Sequence, residues 1–226
     1  MKMFQLLGQA MDNPFSIKAS TATIRAPQQQ RSKQRAEQIL AAARQIILQK
    51  GCANLTISEI AEVAGVTPGS MYQYYRNKSA IVLALGQYYV DLFQQQLGDI
   101  FAAPVTSREQ LGELFIEVLE QYYQLYRDDP VVRDIWAGMA TDKAMQDLDQ
   151  QDTDRHLQFF YEIASPLFSS ATASELPRFL KVLLHLGVAG ARLALTQSDE
   201  EGRYSVDATK KVLSYAWLQF CREYPE

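Results

Sequence analysis

The run Thr56-Ile-Ser-Glu-Ile-Ala-Glu-Val-Ala-Gly-Val-Thr-Pro-Gly-Ser-Met-Tyr-Gln-Tyr-Tyr-Arg-Asn-Lys78 leaves this chain few choices of fold. Thr56 followed three residues later by Glu59 is the signature of a capping box that opens a helix. Ile57, Ile60, Ala61 and Ala64 then recur at helical spacing on one face, while Ser58, Glu59 and Glu62 face out. Gly65 supplies a turn. Thr67 is a good N-cap and Pro68 sits at the first helical position, where its missing N–H costs nothing, so a second short helix is expected over residues 68–75. Two short helices joined by a glycine-containing turn form the helix-turn-helix pattern, whose second helix is shaped for a DNA major groove.

The flanking sequence supplies the remaining parts of such a head. Ile39, Leu40, Ala43, Ile46 and Ile47 form one apolar stripe of a helix that begins near Arg31, and Lys50-Gly51 ends it with a cation and a C-cap glycine. Asn77 caps a helix that opens at Lys78 and continues to about Phe101. Further helical patterns cover about 107–128, 130–139, 141–165, 174–196 and 206–224. No segment alternates like a strand, so the expected fold is all-α. It divides into a flexible arm over residues 1–30, a helix-turn-helix DNA-binding domain over 31–78, and a larger helical ligand-binding and dimerisation domain over 79–226.

Charge supports that division. The net charge of −4 is an average over two unlike parts. Residues 1–80 carry ten Lys and Arg against four acids, a net of +6, and residues 81–226 carry twelve against twenty-two, a net of −10. A basic head on an acidic body suits a polyanion partner, since local cations, not the total, set phosphate affinity. Cys52 and Cys221 match no metal or redox spacing, and a reducing cytoplasm is the expected setting. No apolar run approaches a membrane span, and residues 1–12 are not read as a signal peptide. There is no phosphate-binding Gly loop and no metal cluster. His156 and His185 lack an accompanying nucleophile, so neither enzymatic activity nor a cofactor is expected.

In the turn and second helix, Ile60, Ala61, Ala64, Val66, Met71 and Tyr75 read as core. Thr67, Pro68, Gly69, Ser70, Tyr72, Gln73 and Tyr74 are left on exposed faces. Gln73 suits a bidentate contact to adenine, Ser70 a contact to either base type, and Gly69 a close backbone approach. From Arg31 to about Leu85 the chain resembles the DNA-binding domain of the tetracycline-repressor (TetR) family of bacterial regulators. The resemblance is carried by the helix ending in Gly51, by Thr56-Ile-Ser-Glu-Ile-Ala, Ala64-Gly65-Val66-Thr67, Gly69-Ser70-Met71-Tyr72 and Tyr75, and by Lys78 opening the next helix. It implies that Thr67, Pro68, Gly69, Ser70 and Gln73 lie against the major groove. By the same resemblance Tyr72, Tyr74, Lys78 and the helix start at Thr56 hold phosphates. Tyr75 stands where the family usually has Phe, and Pro68 where many members have Lys or Arg.

The resemblance further implies a helical ligand pocket and a homodimer formed largely by the last two helices. Phe179–Leu195 is apolar on nearly all sides and must be buried on several faces. With the final helix it supplies the expected interface residues Leu183, Gly187, Gly190, Ala191, Leu213, Trp217 and Phe220, half of a four-helix bundle between subunits. Candidate pocket residues are Phe115, Tyr122, Tyr126, Trp136, Met139, Phe159, Phe160 and His185, a largely apolar and aromatic set. Asp142, Asp147, Asp149, Asp152 and Asp154 read as a solvated helix face. The expected function is a ligand-responsive transcriptional regulator, a repressor, binding a near-palindromic double-stranded operator as a homodimer and responding to an apolar or aromatic effector. Two alternatives stay open: a constitutive DNA-binding dimer without a switch, and a helical protein-binding module.

Overall fold

The computed structural model describes residues 26–138 and 141–225. Among them every regular element is helical: α1 Ala26–Lys50, α2 Ile57–Val63, α3 Pro68–Met71, α4 Lys78–Ile100, α5 Arg108–Asp128, α6 Pro130–Ala137, α7 Lys143–Ala164, α8 Leu176–Ala194 and α9 Asp199–Glu223. Short 3₁₀ turns stand at Cys52–Asn54, Ser165–Leu167 and Ser170–Thr172. The arm expected over residues 1–30 lies outside the described residues as far as residue 25. α1 begins at Ala26, ahead of the expected Arg31, with Pro27 in the first turn, where no backbone donor is lost.

Two compact units result: Met1–Tyr89 with Val131–Gln146, and Val90–Pro130 with Asp147–Glu226. Their bounds do not coincide with a division after Lys78. α4 begins at Lys78 and the units part within it, after Tyr89, while the segment 131–146 packs with the head. Its Asp134 carboxylate accepts the Cys52 backbone N–H, just after Gly51 has turned the chain out of α1 at φ +83°. Within the first unit, Ile39, Ala43, Ile46 and Ile47 of α1 are buried with Ile60, Ala61 and Met71, while Leu40 is half-buried.

In the second unit α9 packs on α8 and α5. α9 begins seven residues before the expected Val206, because Ser198 caps it and accepts from the Glu201 N–H, with Asp199, Glu200 and Glu201 in the first turn. Gly202 is needed inside the helix: a Cβ there would come within 2.6 Å of the Ala194 carbonyl oxygen. Gly190 serves the same end, since a Cβ would lie 2.2 Å from Thr209 Oγ1.

The residues expected at a subunit interface are used inside the chain instead. Leu183, Gly187, Ala191, Leu213, Trp217 and Phe220 are buried, and Gly190 faces Thr209 of α9. A helix apolar on every side must choose one face for its own chain, and the small residues permit the closer packing there. The face left outside carries Val182, Leu186 and Leu193 of α8 with Val212, Tyr215 and Leu218 of α9, each 46–67 % exposed.

An ion cluster ties α5 to α9. Glu120 accepts from Arg203 Nη1 and Nη2 at 2.8 and 2.9 Å and from Lys210. Burial alone would raise its pKa, but the hydrogen bonds from Arg203, Lys210 and Gln124 and the Lys210 charge outweigh it and bring the group down to about 2. The folded chain therefore binds fewer protons than the unfolded one between the ordinary value of 4.5 and about 2. The stabilisation is fully present above pH 4.5 and fades as pH falls toward 2. Glu120→Gln is expected to lower the unfolding temperature at pH 7, with the gap to wild type closing as pH falls through that window. A gap of constant size between pH 7 and pH 3 would contradict the assignment.

Candidate nucleic-acid interface

The turn between α2 and α3 sets the direction of the second helix. Gly65 takes φ +63°, its N–H donates to Glu62 O at 3.1 Å, and the Val66 N–H donates to Ala61 O at 2.9 Å. This bond pair is a Schellman closure. A Cβ at Gly65 would meet nothing within 4 Å, so glycine is required there for its conformation and not for space.

Thr67 Oγ1 accepts the Ser70 N–H at 3.2 Å and opens α3, with Pro68 in its first turn and Met71 as the buried anchor. The regular helix ends at Met71, earlier than the expected residue 75. Its last turn tightens into bonds from Gln73 N–H to Ser70 O and Tyr74 N–H to Met71 O, at 3.2 and 2.9 Å. The chain must leave helical geometry there, because Asn77 follows as a cap whose Oδ1 accepts the Ala80 N–H at 2.9 Å.

Thr67, Pro68, Gly69, Tyr72 and Gln73 stand exposed, and Ser70 and Tyr74 are half-buried. The expected core holds at Ile60, Ala61 and Met71, whereas Ala64, Val66 and Tyr75 are half-buried. Two expected phosphate-holding side chains are already engaged in the chain. Lys78 Nζ donates to the carbonyls of Cys52 and Ala53 at 3.2 and 2.9 Å, closing the loop after α1. Thr56 Oγ1 accepts the Glu59 N–H and its hydroxyl donates to Glu59 Oε2 at 2.7 Å, while Glu59 also pairs with Lys50. The N-cap half of the box thus forms, and the Glu half takes the Thr hydroxyl and Lys50.

Sequence reasoning passed over α1 as part of this surface. An open groove of about 510 Å³ is lined by Arg31, Gln34, Arg35 and Gln38 of α1 and by Gln73 and Tyr74 beyond α3. Two guanidinium groups, several amide groups and a phenol bordering one groove match a phosphodiester backbone, with its row of acceptor oxygens. The signal was present, since Arg31, Gln34, Arg35 and Gln38 recur at i, i+3, i+4 and i+7 on the side opposite the apolar stripe. Gly69 faces open space, with nothing within 4 Å of an added Cβ. Gly69→Ala is therefore expected to leave thermal stability unchanged or raised by up to about 1 kcal/mol, while weakening DNA binding if backbone approach matters. Unaltered DNA affinity, read by anisotropy, would remove Gly69 from the contact surface.

In the second unit the expected pocket residues are mostly brought together. Phe115 packs edge-on against Phe160 at 5.3 Å and Trp217 at 5.1 Å, Phe159 against Phe101 at 5.2 Å, and Tyr122 lies 4.5 Å from Tyr126. Trp136 belongs to the other compact unit, and Met139 lies outside the described residues. His185 is exposed, with Nδ1 2.7 Å from Lys181 O, and does not join the cluster; helical rotation places it on the outer side of α8. His156, which was not singled out, is buried among these rings. Asp152 likewise departs from a solvated face: its side chain is 19 % exposed. Helical spacing carries the signal for both, because Leu148, Asp152, His156 and Phe160 recur every four residues.

The fold and the first unit's geometry define a helix-turn-helix protein. Residues 39–85 match the family model of bacterial regulatory proteins, tetR family, and residues 109–219 match the tetracyclin repressor-like C-terminal domain. This chain belongs to the TetR family, whose members are non-enzymatic, DNA-binding transcription factors. It is 28% identical over 89 residues to the HTH-type transcriptional repressor NemR of Escherichia coli K12, a match covering 39% of this chain and 45% of that protein. It is 44% identical over 48 residues to the HTH-type transcriptional regulator TtgR of Pseudomonas putida, covering 21% of this chain and 23% of that one. The chain thus spans less than half the length of these curated relatives. Among solved structures, a TetR-family regulator from Syntrophomonas wolfei aligns at TM-score 0.63 with 16% identity, covering 83% of this chain and 96% of that one. A transcriptional regulator from Rhodococcus aligns at TM-score 0.64 with 13% identity, over 84% and 97%. These likenesses are of fold. Among the described residues no helix is long and apolar enough to cross a membrane.

Proposed function

We propose that this chain is a ligand-responsive transcriptional repressor that binds a near-palindromic operator as a homodimer. The observation that carries the reading is the exposed surface Thr67–Tyr74 continued by the Arg31/Arg35 groove, where hydroxyl, amide and guanidinium groups stand side by side. The relatives named as a repressor and a regulator support the regulatory part. In this reading Thr67, Pro68, Gly69, Ser70 and Gln73 face base edges. Arg31, Arg35, Tyr72 and Tyr74 hold phosphates, and Lys78 and Thr56 position the head. The exposed stripe of α8 and α9 pairs with its copy across a two-fold axis, setting the two heads in successive major grooves about 34–36 Å apart or at a longer groove-matched distance. An effector bound in the body favours a geometry with lower DNA affinity, by binding the two states unequally.

Fluorescence anisotropy on pooled upstream DNA at two salt concentrations tests the reading. Binding is expected to tighten as salt falls, and Arg35→Ala to weaken it evenly across sequences while reducing the salt slope by about 1. Binding that is absent at low salt, or insensitive to it, would sink the proposal.

A further inference from the structure

We infer that the body holds a site for neutral aromatic compounds carrying an O–H or N–H donor, and that Nε2 of His156 is the acceptor that selects them. The inference rests on the ligand-responsive reading above and deepens it.

α7 carries His156 on its inner face, where the residue is 8% exposed. Its Nδ1 lies 3.6 Å from Asp152 Oδ2, beyond a good hydrogen bond but close enough for the carboxylate to favour the ring proton on that nitrogen. Nε2 is then a bare lone pair, and it is buried with no hydrogen-bond partner. The ring contacts of the imidazole are with aromatic side chains. Phe93 meets it edge-on at 5.5 Å and Phe160 lies 6.4 Å away, while Tyr122 packs on Phe93 at 5.5 Å. A buried acceptor left unpaired is costly, and native cores avoid it unless a partner arrives. A resident water would need two to four polar partners, which rings of this kind do not supply.

Nearby groups decide the kind of partner. The Tyr122 hydroxyl bonds to that of Tyr126 and to Arg192. Asp152 Oδ1 accepts from Gln94 Nε2 at 3.3 Å, and Asp149 pairs with Arg192 at 3.4 Å. Asp152 and Asp149 thus each have a partner within the chain, and burial moves Asp152 up to about 6, toward its neutral form. The unpartnered atom of the His156 ring is an acceptor, which calls for a neutral donor and not for a cation. Burial, helped by the Arg155 charge, takes the imidazole down to about 4, so it stays an acceptor throughout the neutral range. A flat ligand ring would meet Phe93 and Tyr122 in the edge-on geometry that the rings here already adopt.

The test uses the full chain, with 2-naphthol and its methyl ether, 2-methoxynaphthalene, as probes that differ in one donor. Titration calorimetry is expected to show the naphthol bound about ten-fold or more tighter than the ether, the size of one hydrogen bond. His156→Leu should bring that ratio to near one, and His156→Gln, which restores an acceptor, should recover part of it. In the wild-type chain the Nε2 nitrogen resonance should shift with naphthol and not with the ether. Equal binding of the two probes, a preference that survives in His156→Leu, an unmoved Nε2 resonance, or no naphthol binding up to its solubility would overturn the inference. Anisotropy on pooled DNA separates it from the reading beneath. Naphthol bound through His156 without change in DNA binding leaves the site standing and overturns the ligand-responsive role. DNA release that is identical in wild type and His156→Leu keeps the role and overturns the site.

Discussion

Replacing Leu186 and Val212 together by glutamate is expected to turn the proposed homodimer into monomers and to lower DNA affinity on the order of 10²–10⁴-fold, the gain that a second linked binding module confers. Both side chains are exposed, at 46% and 57%, on helices whose opposite faces already form the core of the chain. The substitution should therefore leave helical content and the chain's own packing intact. Across a two-fold axis, each chain contributes two new carboxylates, and four charges would have to be desolvated without partners for the pair to form. A monomer still owns one complete helix-turn-helix, so weak salt-dependent binding should remain while operator-length cooperation is lost. Light scattering after size exclusion checks the mass and anisotropy checks the affinity. A double variant that stays dimeric would place the interface elsewhere than on the Val182–Leu193 and Val212–Leu218 stripes.

Trp217→Ala is expected to cost about 3–5 kcal/mol of stability, enough to lower the unfolding temperature by about 10 °C or more in a chain of this size. Trp217 is 3% exposed, and its Nε1–H donates to the Arg108 carbonyl at 2.8 Å. The ring fills space that Gly112 leaves open: a Cβ at that glycine would come within 2.6 Å of it. Phe115 at 5.1 Å and Phe168 at 5.9 Å meet it edge-on. Arg108 extends the same knot, donating to Leu167 O and Tyr224 O at 2.8 Å each, with its guanidinium 4.0 Å over Phe168. Trp217→Phe keeps most of the volume and loses the donor, and it should fall between wild type and the alanine variant. A change of under 3 °C on Trp217→Ala would show that the cavity collapses and that this knot does not hold α5 to α9.

The head was readable because its signals are local. Thr67, Pro68, Gly65 and Asn77 each act on a backbone a few residues away, and the structure places the caps and the turn where that chemistry puts them. The length of α3 was less readable, since the tightening after Met71 depends on where the next cap must begin. The start of α9 was less readable, because the lack of a side chain at Gly202 answers a neighbour, the Ala194 carbonyl, that only the fold brings near. That His156 is buried while His185 is exposed has a similar reason. Both lie on amphipathic helices, and rotation about the helix axis decides which one is buried.

Local chemistry and periodicity by themselves determined that this chain is all helix among its described residues, where most helices begin and end, and that a helix-turn-helix lies in a basic first third. Those features depend on contacts between residues close in sequence, so the sequence displays them directly. The tertiary structure alone decided which face of α8 and α9 the chain keeps for its own core and which it leaves out, that Arg31 and Arg35 of α1 line one groove with Gln73 and Tyr74, that Lys78 closes a loop, and that a histidine in an acidic helix has a buried nitrogen without a partner. Each of these depends on groups brought together from distant parts of the chain, where burial and the choice of neighbour, not local propensity, set the outcome.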